Sequence, residues 1–143
     1  MRDELLDTLH NQHNQLRGEL GIMAEIIKKK NGFDAKLILS QLKKFKKDLH
    51  AHWKLENNIF YVQLIEKMEK KKMNTERTIN FIGQMKELTR EINAFLLHFN
   101  TEDKVNDDKN KFKKKFSHMS NRLLMRSELE EDSVFMYWEF LLG

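Results

Sequence analysis

Apolar residues recur every three or four positions through almost the whole chain, and no proline interrupts them. That spacing matches the 3.6-residue repeat of an α-helix, which gathers such positions on one face. Only five glycines occur among 143 residues, and three of them (Gly18, Gly21, Gly83) fall inside helical patterns. Helix formers such as Lys, Leu, Glu, Met and Gln dominate, and turn residues are nearly absent. The pattern predicts an all-α protein of one domain with few, short connections.

Four stripes can be read in order. The first, Leu5, Leu9, His13, Leu16, Leu20, Met23 and Ile27, predicts a helix over about 2–29. Residues 30–33 form the expected turn, with Asn31-Gly32 as a stop and Asp34 as the next cap. The second stripe, Ile38, Leu42, Phe45, Leu49, His52, Glu56, Ile59/Phe60 and Gln63/Leu64, predicts a helix over about 34–72. Asn74-Thr75 should cap a third, over 75–100, with stripe Thr78, Phe81, Met85, Leu88, Ile92, Phe95 and Phe99. Residues 100–108 are polar and read as the longest loop. The fourth stripe, over 109–141, is Phe112, Phe116, Met119, Leu123, Arg126, Glu130, Val134, Tyr137 and Leu141. A long coiled-coil hairpin shares this spacing, but four stripes with three turn signals favour a closed up-down-up-down antiparallel four-helix bundle.

Three stripes break where an apolar residue is due. His13 interrupts the first, His52 and Glu56 the second, Arg126 and Glu130 the fourth. Residues four apart on a helix point the same way, so His52 and Glu56 can grip one ion or one partner group. In an antiparallel bundle the stripe midpoints share a layer. With a rise of 1.5 Å per residue, Glu56 and Glu130 lie about 6 Å from the His13–His52 level, and His10 about 4.5 Å toward the same end. The expected cluster is His10, His13, His52, Glu56, Arg126 and Glu130, with Gln84 at its edge. Imidazoles and carboxylates facing one cavity in a helical bundle form the donor set of a non-haem iron site.

These segments resemble the hemerythrin-like (HHE cation-binding) family along essentially the whole chain. Leu9-His10-Asn11-Gln12-His13 is similar to the family's first-helix segment, where a ligand His follows a Leu by four. His52-Trp53-Lys54-Leu55-Glu56, ending in Phe60, is similar to its His-x-x-x-Glu motif. Arg126-Ser127-Glu128-Leu129-Glu130-Glu131, followed by Val134-Phe135, is similar to its fourth-helix motif His-x-x-x-Glu-Glu-x-x-Leu-Phe. The resemblance implies metal ligation by His13, His52, Glu56 and Glu130, with His10 as a further candidate. It implies one or two non-haem irons or another metal, a small diatomic ligand, and a role in oxygen, nitric-oxide or metal sensing or stress response. The chain departs from the family at four places. Arg126 stands for the fourth-helix His, Leu88 for the third-helix His, and Tyr61 and Met136 for prolines after the aromatics.

Arg126 opens a competing expectation. A guanidinium between Glu56 and Glu130 would neutralise two buried carboxylates and donate to both. It would also repel a dication close by. The chain would then be a metal-free scaffold or interaction protein.

Other classes are set aside. No Cys is present, which excludes thiolate ligands, thiol catalysis and disulfides. No nucleophile–base pair with an oxyanion donor and no phosphate-binding glycine loop is visible, so a binding role is expected over an enzymatic one. The N-terminus lacks a signal-peptide core and no apolar run could span a bilayer, which points to the cytoplasm. The net charge is +4, and the lysine runs at 28–30, 70–72 and 113–115 sit between core positions on solvated faces. Neither nucleic acid nor membrane is expected as a partner. His98 and His118 lie about 15 and 12 Å from the main layer, too far to join it. Gly18 and Gly21 just beyond His13 suggest a close helix approach or room for a small ligand.

Overall fold

The computed structural model describes residues 3–29 and 32–142, and the chain there is all-α. Helix α1 spans Glu4–Ile27 and α2 spans Ala35–Leu55. One turn of π-helix, Glu56–Phe60, leads into α3, Tyr61–Lys70. Helix α4 covers Glu76–His98, α5 Glu102–Asp107, α6 Lys109–Asp132 and α7 Val134–Leu142.

Side-chain caps set most of the starts. Asp3 accepts the backbone N–H of Leu6 at the head of α1. Asp34 accepts from Lys36 and Leu37, as its position before the second stripe predicts. At α4 the capping side chain is Asn74, which accepts from Glu76, whereas Thr75 makes no such bond. Gly32 adopts φ +81°, a left-handed turn open to glycine at little cost. Lys30 and Asn31, the other part of that expected turn, lie outside the described residues.

Three expected boundaries change. The single helix expected over 34–72 contains the π turn at Glu56–Phe60. The helix expected over 109–141 breaks at Ser133, whose hydroxyl bonds the Leu129 carbonyl at 2.6 Å. The expected loop 100–108 contains α5, capped by Thr101 and pinned by the fully buried Val105. One apolar residue in nine left no periodicity to read there.

The apolar stripes bury into two clusters. One joins the late part of α1 (Leu20, Met23), the early part of α2 (Ile38, Phe45), the end of α4 (Phe95, Leu96) and the start of α6 (Phe112, Phe116). The other joins the start of α1 (Leu6, Leu9), the π turn and α3 (Phe60, Leu64), and α7 (Phe135, Trp138). Each fully buried Leu or Phe contributes roughly 1.5–3 kcal/mol. His13, Glu56 and Glu130 fall between the clusters in sequence, His52 lies at the edge of the first, and all four are buried.

Gly18 and Gly21 are solvent-facing, and a Cβ at either would meet nothing within 4 Å. They mark neither a close helix approach nor a ligand space.

Glu19, on α1, is buried while its carboxyl oxygens lack hydrogen-bond partners. Burial, then the neighbouring Asp48 carboxylate, push its pKa up to about 7 against the opposing pull of Lys44, whose Nζ stands 3.6 Å away. The folded chain thus holds a proton that the unfolded chain releases near 4.5. The stabilising contribution is complete below that value and is lost as pH rises through about 7. Glu19→Gln is expected to flatten the fall in melting temperature between pH 5 and pH 8. An identical pH profile in variant and parent would rule this out.

Candidate metal centre

Four of the five polar interruptions of the stripes converge. One ligating atom from each of His13, His52, Glu56 and Glu130 lies within 4.8 Å of all the others. His13 comes from α1, His52 from the end of α2, Glu56 from the π turn and Glu130 from the end of α6. All four side chains are at most a few per cent exposed.

The outer edges of the imidazoles are held. His13 Nδ1 lies 2.8 Å from Glu131 Oε2, and a carboxylate can only accept, so that nitrogen carries the proton. Arg17 Nη2 in turn donates to Glu131 Oε1 at 2.6 Å. Burial alone would raise the Glu131 pKa, but the hydrogen bonds from Arg17 and His13 hold it below the usual carboxylate range. His52 Nδ1 donates to Gln12 Oε1 at 2.7 Å. Burial pushes His52 down to about 4 despite the attraction of Glu130, so the ring is neutral.

With its Nδ1 used as a donor, a ring in its neutral form turns a bare Nε2 lone pair inward. The two Nε2 atoms are 3.2 Å apart. His13 Nε2 faces Glu130 Oε1 at 3.0 Å, and His52 Nε2 faces Glu56 Oε2 at 3.1 Å. Neither of those oxygens has a hydrogen-bond partner. With both carboxyls ionised and both rings neutral, four acceptor atoms would meet with no donor among them, an arrangement that a cation or an added proton relieves. Burial first, then the neighbouring Glu56, push Glu130 up to about 8. Burial likewise raises Glu56, opposed by its hydrogen bonds to Glu130 and Tyr61. The donor set of two imidazoles and two carboxylates fits zinc or non-haem iron.

The far oxygens of the carboxylates meet a residue that the sequence reading passed over. Tyr61 Oη lies 3.1 Å from Glu56 Oε1 and makes a short hydrogen bond to Glu130 Oε2. The π turn is the reason. Its wider i→i+5 bond, from the Tyr61 N–H to the Glu56 carbonyl, brings Tyr61 beneath Glu56 where a regular helix would bring Phe60. Phe60 and Tyr61 are both buried, whereas Ile59, on the expected stripe, is 41% exposed. Burial, then the two carboxylates, push the Tyr61 phenol well above its ordinary range.

Arg126 is not where the competing expectation put it. Its guanidinium packs over the Phe81 ring, 4.4 Å from the centroid, and reaches the Phe81 carbonyl at 3.5 Å. It forms no ion pair with Glu56 or Glu130; the group lying between their outer oxygens is the Tyr61 hydroxyl, with one proton to donate. An aromatic face and a carbonyl hold the guanidinium at the bundle edge without the cost of taking it fully inside, though its Nε is buried without a hydrogen-bond partner. Burial lowers the Arg126 pKa while Tyr61 and Glu130 favour its charge.

His10 is also outside the cluster. Its ring is 40% exposed, packs edge-on against Phe135, and stands 3.9 Å from Glu131 rather than facing the inner oxygens. Gln84 is exposed, and Leu88 is buried in the larger apolar cluster. His98 and His118 line one groove between α4 and α6, together with Lys114 and Lys115. Its one carboxylate, Glu91, is paired with Arg122, so no metal-ligating triplet forms there among the described residues.

A family model described as Hemerythrin HHE cation binding domain matches residues 4–138. No curated protein and no solved structure matches the chain. Among the described residues, no helix is long and apolar enough to cross a membrane.

Proposed function

The chain belongs to the hemerythrin HHE cation-binding domain family, and on that premise we propose that it is a metal-binding module holding iron in a remodelled centre. His13, His52, Glu56 and Glu130 are the ligands. The observation that carries this reading is the meeting of four buried ligating atoms, two of them carboxylate oxygens without a hydrogen-bond partner. We read 1–143 as one domain whose long helices run up-down-up-down as an antiparallel bundle. The way the start of α1 shares a cluster with α3 and α7, and its end with α2, α4 and α6, supports that reading.

A bound iron supplies a Lewis-acidic, redox-active centre able to take a small diatomic ligand. The chain's own residues do the rest. Glu131 and Gln12 fix the imidazole tautomers, so that both Nε2 lone pairs face the centre. The two apolar clusters shield the layer on either side and limit water access. Arg17 keeps Glu131 ionised, which raises the donor strength of His13. We place such a module in the cytoplasm, sensing oxygen, nitric oxide or metal rather than catalysing turnover.

A metal-free scaffold is the competing reading. In it a proton on the Glu56–Glu130 pair takes the place of the cation, because Arg126 donates to neither inner oxygen. Loading the chain anaerobically with Fe(II), desalting it and measuring iron decides between the two. Retained iron is expected, with a visible spectrum that changes on admission of air. Loading to about 100 times the dissociation constant should raise stability by about 2.7 kcal/mol, or roughly 10 °C in melting temperature for a chain of this size. Iron near zero with no thermal shift would sink the metal reading.

A further inference from the structure

The two buried carboxylates each have an inner and an outer oxygen, and the two sides differ. The inner oxygens, Glu56 Oε2 and Glu130 Oε1, face the imidazoles and lack hydrogen-bond partners. The outer oxygens, Glu56 Oε1 and Glu130 Oε2, both touch Tyr61 Oη. A pair of carboxylates arranged in this way can bridge two ions about 3.5–4 Å apart, one on each side. Here only one side is open.

We propose that Tyr61 limits this centre to a single ion, its hydroxyl standing where a second cation would meet the outer carboxylate oxygens. The proposal rests on the metal reading above and specifies its stoichiometry. Three observations carry it. The phenol oxygen is within hydrogen-bond reach of both outer oxygens, so it fills the place beside them that a second ion would take. Among the described residues, no further His joins the ligating group, and α4 contributes nothing to it. Arg126 is close enough to Tyr61 and Glu130 for both to stabilise its charge, so the outer side already lies in a positive field that opposes a second cation.

The π turn makes the arrangement specific to Tyr61. Its i→i+5 step alone brings the residue after Phe60 under Glu56. Tyr61 is therefore a positioning residue. It holds the two carboxylates together and keeps their inner oxygens turned toward the imidazoles.

The test is a zinc titration, chosen because Zn(II) has no redox chemistry, read by calorimetry and by metal analysis of the desalted protein. The wild type is expected to retain one equivalent per chain. Tyr61→Ala, which frees both outer oxygens, is expected to bind a second, weaker equivalent. Tyr61→His keeps a buried polar ring and offers a nitrogen donor at the same place. It too should take a second equivalent, and it carries the test if the alanine cavity unfolds the chain. Two equivalents in the wild type, or one in the folded variants, would overturn the role of Tyr61 while leaving the metal reading intact. No zinc in the wild type would remove both.

Discussion

Glu130→Gln is expected to lower metal affinity by at least about 100-fold while leaving the metal-free chain as stable as its parent or more so. Side chains that only orient a ligand cost about 10–100-fold when changed, and Glu130 contacts the centre directly. Its carboxyl is fully buried, with one oxygen facing His13 and the other bonded to Tyr61. Glutamine keeps the volume and one oxygen but removes the charge that a cation needs. Without metal the effect reverses. Burial and the nearby Glu56 push Glu130 up to about 8. The folded pair therefore takes up a proton near neutral pH that the unfolded chain does not hold. That contribution weakens as pH rises through about 8, and a neutral amide avoids the loss. Competition against a chromophoric chelator gives the affinity, and thermal unfolding with and without metal gives the stability. Parental affinity in Glu130→Gln would exclude Glu130 as a ligand. Glu131→Gln is the graded comparison. It acts only through His13 Nδ1 and should cost about 10–100-fold.

The contrast between these two glutamates shows how far the sequence can be read. Periodicity alone puts His13, His52, Glu56 and Glu130 on inward faces, because each replaces an apolar residue at a core position. The structure brings the same four side chains together. The partners behind them follow no such pattern. Gln12, Arg17 and Glu131 lie beside the stripes, and what they touch depends on how neighbouring helices pack. Tyr61 is hidden for a different reason. A π turn adds one residue to a helical repeat without proline, glycine or any change in composition. Extrapolating the 3.6-residue repeat from Glu56 selects Ile59/Phe60 and Gln63/Leu64, of which Phe60 and Leu64 are buried and Ile59 and Gln63 exposed, and it misses the phenol. Arg126 illustrates the opposite error. Its sequence position is inward, but a long flexible side chain can leave the layer for Phe81 at less cost than full desolvation.

The packing around His13 yields a prediction that separates site from fold. Phe135, the second residue of α7, is 1% exposed. Its ring stacks on His13 at 5.2 Å with the planes 21° apart, and meets Phe60 edge-on at 5.3 Å. Phe135→Ala removes a buried ring from a close-packed cluster and should destabilise the chain by about 3–5 kcal/mol. Phe112 is equally buried, among Phe33, Phe95, Phe99 and Phe116 in the other cluster. Phe112→Ala should cost a similar amount for the same reason. The two variants part in metal affinity. Phe135 supplies the flat wall that holds the His13 ring, and without it Glu131 is left to fix the ring through one hydrogen bond. A loss of about 10–100-fold in affinity is expected for Phe135→Ala, and none for Phe112→Ala. Both are read by denaturant titration and chelator competition on the folded variants. Equal affinities in the two would mean that His13 is held by its hydrogen bonds alone and that the aromatic wall serves only the fold.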